Sequence, residues 1–145
     1  MIFTVRKADI CDALGICRLS RDEMGYDYPL EKTKERLKST LVKDYEAVFV
    51  AVDDEREVLG YIHASDYELL FSEKRVNILG IAVKADCVRQ GIGGALMNAV
   101  EEWAKARRAK AIRLVSGEKR AIAHSFYEKC GFVCEKSQKN FKKNI

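Results

Sequence analysis

The chain has 145 residues, 48% hydrophobic and 33% charged, with a net charge of +4. These values describe a soluble globular chain, expected to form a single domain over residues 1-145 with a sizeable core. They exclude a membrane span, which needs roughly 20 consecutive apolar residues, and the charge excess is too small for a dedicated nucleic-acid binder.

Residues 2–5 are a short apolar run and read as a first strand. Asp9 is a good N-cap for a helix over about residues 10–23, which ends before Gly25. Pro29 suits the first turn of a second helix, whose apolar stripe of Leu30, Leu37 and Leu41 is narrow. Residues 47–52 (AVFVAV) read as a second strand, and residues 58 to about 70 as a third. Val76, Ile78, Leu79, Ile81 and Val83 form a fourth, antiparallel to the third through the SEKR turn. A polar stretch and a glycine cluster follow. Ile92, Leu96, Ala99, Val100, Trp103 and Ala104 then recur at helical spacing, in a helix running to about residue 108. Residues 111–115 make a fifth strand, and residues 121–130 a helix stopped by Gly131. Residues 132–141 read as a last extended segment. The order β-α-α-β-β-β-α-β-α-β predicts an α/β (α+β) fold, with a mixed, mostly antiparallel sheet and helices on both faces.

The five cysteines include no Cys-x-x-Cys pair, and the N-terminus lacks the plan of a signal peptide. The expectation is therefore reduced thiols, a cytoplasmic protein and no membrane partner. Neither His63 nor His124 stands at ligand spacing from a cysteine pair, so no metal is expected.

The glycines Gly91, Gly93 and Gly94 open the long helix, where unpaired N–H groups and the helix dipole favour an anion. Neither familiar nucleotide loop fits. A P-loop needs Gly-Lys-Ser/Thr at its end, and RQGIGGAL has none. A dinucleotide loop needs a third glycine at GxGxxG spacing close behind a strand, and that is absent too.

The segment instead resembles the acyl-CoA-binding motif of the GCN5-related N-acetyltransferases (GNAT), Arg/Gln-x-x-Gly-x-Gly/Ala. The matching residues are Val88-Arg89-Gln90-Gly91-Ile92-Gly93, behind the strand triplet Ile81-Ala82-Val83. Val88 departs from the motif's first position. The loop of this family grips pyrophosphate mostly through backbone N–H groups, so the departure is expected to be tolerated, with Arg89 supplying charge. A second segment, Ala123 to Phe132 (AHSFYEKCGF), resembles the family's Ala-x-x-Phe-Tyr-x-x-x-Gly-Phe pattern. The order of elements is GNAT-like over essentially the whole chain.

The resemblance implies an acetyl-CoA-dependent N-acetyltransferase using direct transfer, with acetyl-CoA as co-substrate. Backbone N–H groups of Arg89, Gln90, Gly91, Ile92, Gly93 and Gly94 would bind pyrophosphate. Ile81, Ala82 and Val83 would pair with the pantetheine amides, with the Ile81 N–H as oxyanion donor. Ser125 would contact the cofactor, and Tyr127 would protonate the leaving thiolate. The base is left among Glu68, Asp66, His63, Tyr67 and Glu23, with Glu68 and Asp66 favoured. The acceptor would be a small amine or aminoglycoside-like compound, or a peptide presenting an N-terminus or lysine. The resemblance also admits a homodimer. A non-catalytic CoA-binding sensor or scaffold is the alternative.

Overall fold

The structure is a computed structural model and describes residues 2–145. The chain divides into two compact units, Met1–Leu114 and Val115–Ile145. The first contains β1 (Thr4–Lys7), α1 (Ala13–Met24), α2 (Leu30–Leu41), β2 (Glu46–Val52), β3 (Val58–Tyr67), β4 (Arg75–Val83), α3 (Ile92–Ala106) and β5 (Ala111–Leu114). The second contains α4 (Ala121–Lys129).

The sheet order is β1-β2-β3-β4-β5. The first four strands are antiparallel and β5 runs parallel to β4. This is the mixed, mostly antiparallel sheet expected. The α3 crossover explains the one parallel pair, since parallel neighbours need a long connection.

Local chemistry sets the helix ends. Asp9 caps a short 3-10 turn, Ile10–Asp12, in a capping box completed by Asp12. The buried Asp12 carboxylate also takes two hydrogen bonds from Arg6, at 2.8 and 3.0 Å. Gly25 closes α1 in the left-handed region at φ 78°, as a C-terminal glycine does.

Each sheet face packs its own helices. Val48, Val50, Val52, Val58, Tyr61 and Ala82 meet Ala13, Ile16, Leu19 and Leu37 of α1 and α2. Gly15 lets α1 come this close, because a Cβ there would lie 2.6 Å from Val58 Cβ. On the other face Ile92, Leu96 and Val100 of α3 are buried, and Gly60 of β3 admits Ile92 and Leu96. Helices therefore cover both faces.

One expected strand is missing. Residues 132–141 form no strand. Glu135 to Asn140 are six polar residues in a row, which offer no apolar face to bury, and Val133 and Phe141 remain exposed. Boundaries also shift: β1 begins at Thr4, β3 ends at Tyr67 and α3 ends at Ala106. Among the described residues no helix is long and apolar enough to cross a membrane, and no group of His, Cys, Asp and Glu could hold a metal.

Candidate active site

The centre of the site is a change in β4 at Leu79. His63 pairs with Gly80, but the next residue of β3, Ala64, pairs with Ile78. Leu79 is thus an extra residue, a β-bulge, and it is half exposed. Pairing with β5 ends one residue earlier, at Ile78 with Leu114. From Leu79 to Val83, β4 has β3 on one side and no strand on the other among the described residues.

Hydrogen-bond alternation tells which groups face that edge. The Lys84 N–H donates to the Leu59 carbonyl at 2.8 Å, which makes Lys84 and Leu59 a hydrogen-bonded pair. In an antiparallel ladder such pairs alternate. Ala82 and Gly80 therefore bond toward β3. The N–H and C=O groups of Ile81 and Val83 point to the unpaired edge.

The chain then enters the glycine loop. Glu23, near the end of α1, accepts the Ala85 N–H at 3.0 Å, and Lys84 pairs with Glu57 at 2.6 Å. Val88, where the motif departs, is half exposed. Arg89 has φ 65° and Gly91 φ 85°. A non-glycine residue there costs about 1–2 kcal/mol, so the turn at Arg89 is held against a local preference. No side chain caps α3, and its first-turn bond runs from the Ala95 N–H to the Gly91 carbonyl at 3.0 Å. The N–H groups of Ile92, Gly93 and Gly94 precede that bond and have no intrahelical acceptor. A Cβ added at Gly91 or Gly94 would meet nothing within 4 Å. Packing does not require either glycine, and open space lies over both.

Within Val115–Ile145, α4 carries the second motif. Gly131 has φ 94°, and the Phe132 N–H reaches back to the Tyr127 carbonyl at 3.0 Å, a helix-ending Schellman bond. That closure sets the Phe132 ring edge-on to Tyr127, with centroids 6.1 Å apart, while Phe126 lies tilted at 5.6 Å. Burial pushes the Tyr127 phenol above its ordinary pKa, with Arg120 opposing, so it keeps its proton at neutral pH. Ser125 is exposed on α4. His124 is tied to the Gly117 carbonyl at 2.9 Å, a local tether. The buried Ser116 hydroxyl has no hydrogen-bond partner.

The two favoured bases have different surroundings. Asp66 receives bonds from Arg107 at 2.8 and 2.6 Å and pairs with Lys74 at 3.3 Å. Bonding from Arg107 holds its carboxyl below the usual range, against the effect of burial. It also lies on the α3 face, level with Val76 rather than Ile81. A carboxylate so engaged is a weak proton acceptor. Glu68 is exposed just past the end of β3. His63 lies on the α1 face, 2.7 Å from Glu46, which Lys43 also contacts at 3.1 Å. Burial raises the Glu46 carboxyl, but bonds from His63 and Lys43 outweigh it and leave its pKa lowered.

One group was not singled out in the sequence. The Tyr61 hydroxyl lies 2.8 Å from Ser20 Oγ and 3.4 Å from Met24 Sδ, directly beside Gly80. The only signal for it was its place in the third strand, facing α1.

The sequence model of the Acetyltransferase (GNAT) family matches residues 13–132. No curated protein matches the chain. Among solved structures, it resembles the aminoglycoside antibiotic 6'-N-acetyltransferase AAC(6')-Ih from Acinetobacter baumannii, with TM-score 0.86 and 19% identity over 99% of each chain. It also resembles AAC(6')-Iy in complex with the bisubstrate analog CoA-S-monomethyl-acetylneamine, with TM-score 0.87 and 17% identity over 100% of each. A transcriptional regulator from Bacillus halodurans C-125 gives TM-score 0.84 and 23% identity over 99% of this chain and 100% of that one. At these identities the structures share the fold, and the differing names attached to that fold leave function to the site. The sequence match covers most of the chain, from the first compact unit into the second: this chain belongs to the GNAT acetyltransferase family.

Proposed function

We propose that the chain is an N-acetyltransferase that moves an acetyl group from acetyl-CoA directly to a primary amine. In this reading one catalytic domain spans residues 1-145, because the family match runs from the first unit into the second. The observation that carries the proposal is the sequence of two unpaired backbone surfaces. The outward edge of Ile81 and Val83 is followed, after the loop of residues 84–91, by the uncapped, sterically open start of α3.

The first surface suits an extended amide chain, which adds to a strand edge by main-chain bonds. The second suits a pyrophosphate, bound by N–H groups from Arg89 to Gly94. The Ile81 N–H polarises the thioester carbonyl and stabilises its developing negative charge. Tyr127 donates its proton to the departing sulfur; its raised pKa keeps that proton in place at neutral pH until then. Ser125 contacts the cofactor, and Glu68 accepts the amine's proton through water. The acceptor is a small amine, in keeping with the aminoglycoside acetyltransferases that share the fold.

Two measurements test this. CoA at 100 times Kd adds about 2.7 kcal/mol of stability, which raises Tm by about 5–10 °C for a chain of this length. No shift with millimolar CoA would defeat the reading. CoA release is then followed over a panel of amines and peptides. Tyr127→Phe is expected to lower turnover ~10²- to 10⁴-fold with CoA affinity unchanged. A CoA-dependent shift without turnover on any acceptor would favour a sensor or scaffold.

A further inference from the structure

Glu23 is poorly placed for its own helix. It lies in the last turn of α1, where the helix dipole disfavours a carboxylate. Its neighbour Asp22 is paired with Arg21 at 2.8 Å, but Glu23 has no ion pair among the described residues. Its side chain instead leaves the helix. Oε2 accepts the Ala85 N–H at 3.0 Å, between residues 62 apart in the chain.

The bond falls on the joint between the two unpaired backbone surfaces. Ala85 follows closely on Val83, the last outward amide of β4, and precedes the glycine start of α3. It begins a 3-10 turn, Ala85–Cys87, in which the Cys87 N–H donates to the Lys84 carbonyl at 2.9 Å. The first N–H of such a turn has no partner within it, and the Glu23 carboxylate supplies one. Among the described residues no other side chain bonds a backbone group of residues 84–91. Further along, Val88 is half exposed and Arg89 is held in the left-handed region at φ 65°. A non-glycine residue persists there only where its surroundings hold it.

We propose that Glu23 is a positioning residue for the donor, clamping the entry of the pyrophosphate loop so that the N–H groups from Arg89 to Gly94 stand ready. The proposal rests on the donor-binding part of the transferase reading above. Glu23 acts here through Ala85 and touches neither the cofactor nor the reacting atoms. Without the clamp the loop visits other conformations, and the apparent affinity falls with the fraction that can bind. A clamp and a base make different demands on this side chain. A base needs the carboxylate, whereas a clamp needs only an oxygen acceptor, which a glutamine amide keeps.

The test measures Kd for CoA by calorimetry, kcat and KM for acetyl-CoA, and the ligand-free Tm in the wild type, Glu23→Gln and Glu23→Ala. Glu23→Ala is expected to raise Kd and KM together by about 3- to 10-fold, the usual worth of one hydrogen bond. Its kcat at saturating donor should stay within about 2-fold of wild type, since only binding is affected. Glu23→Gln should restore both constants. Ala85→Pro removes the donor of the same bond. Lys84, at φ -55° and ψ 133°, already has the conformation favoured before proline, and the first position of a helical turn tolerates it. This variant should repeat the rise in Kd, and combining it with Glu23→Ala should add nothing further. It decides the matter if Glu23→Ala proves unstable. An unchanged Kd in Glu23→Ala overturns the clamp even if Tm falls, because a merely structural bond acts on Tm alone. A kcat lowered ~10²-fold or more in both Glu23 variants, with Kd unmoved, also overturns it and makes Glu23 the base. Either result leaves the transferase reading intact. A wild type that binds CoA but acetylates no amine sinks that reading while the rise in Kd still upholds the clamp, and a wild type that binds no CoA takes down both.

Discussion

The two halves of β4 are built from similar residues and serve different ends. Arg75 to Ile78 is flanked by strands on both sides, and Val76 is fully buried. Leu79 to Val83 keeps β3 but not β5, and the outward amides of Ile81 and Val83 are left without a strand. The first half spends its backbone on the sheet, and the second keeps half of its backbone for something else. A single inserted residue, Leu79, separates them. A binding edge can thus be made inside a stable sheet without a loop, provided that the neighbouring strand ends where the bulge begins.

The sharpest way to break this comparison is a pair of proline substitutions. Ile81→Pro removes an N–H that makes no ladder bond, so the protein should stay folded. Turnover should fall ~10²- to 10³-fold, the usual cost of one oxyanion donor. Ala82→Pro removes a bond to β3 and should destabilise by about 3 kcal/mol or more. Circular dichroism melts beside CoA-release assays separate the two, and equal behaviour would erase the distinction between the residues. In the paired half, Val76→Ala should cost about 1–3 kcal/mol of stability with kcat unchanged, read from urea unfolding and initial rates.

A smaller effect concerns Asp66, which the register sets level with Val76. Its folded-state pKa is lowered, mainly by the hydrogen bonds from Arg107. The stability it contributes is therefore fully present above the unfolded value of about 3.9 and is lost as pH falls through the folded value. Asp66→Asn should cost about 1–2 kcal/mol at pH 7, flatten that acid limb and leave kcat unaltered. A large loss of kcat in this variant would assign Asp66 as the base. The smallest expected effect is at Gly94. Gly94→Ala should stabilise the ligand-free protein by about 0.5–1 kcal/mol, since the position is helical and nothing crowds it. It should weaken CoA binding at the same time, which a titration followed by melting would register.

Much of this was legible in the sequence. Apolar periodicity located all five strands and four helices, and the first motif with its preceding triplet falls on the start of α3 and the outward edge of β4. The bulge had a signal too. The apolar residues of β4 run 76, 78, then 79, 81, 83, so the alternation changes phase between Ile78 and Leu79. A one-residue insertion leaves that trace, because every later side chain changes face. The partners of Asp66 and Tyr61 were not legible. Arg107 lies 41 residues beyond Asp66, and Ser20 lies 41 residues before Tyr61. No local period encodes pairings between elements so far apart. The expected sixth strand failed for a local reason: Phe132 and Val133 start like a strand, and the polar run after them withdraws the face it would need.

Gly15 carries a consequence for how this enzyme could vary. Its α-carbon leans against Val58, with no room for even a methyl. It works as the pivot of a lever whose far end, nine residues or about 14 Å along the helix, is Met24. Any side chain at the pivot would wedge α1 from the sheet and lift that end from Gly80. A change at Gly15 would thus be felt beside Gly80, on the half of β4 whose outer edge has no strand.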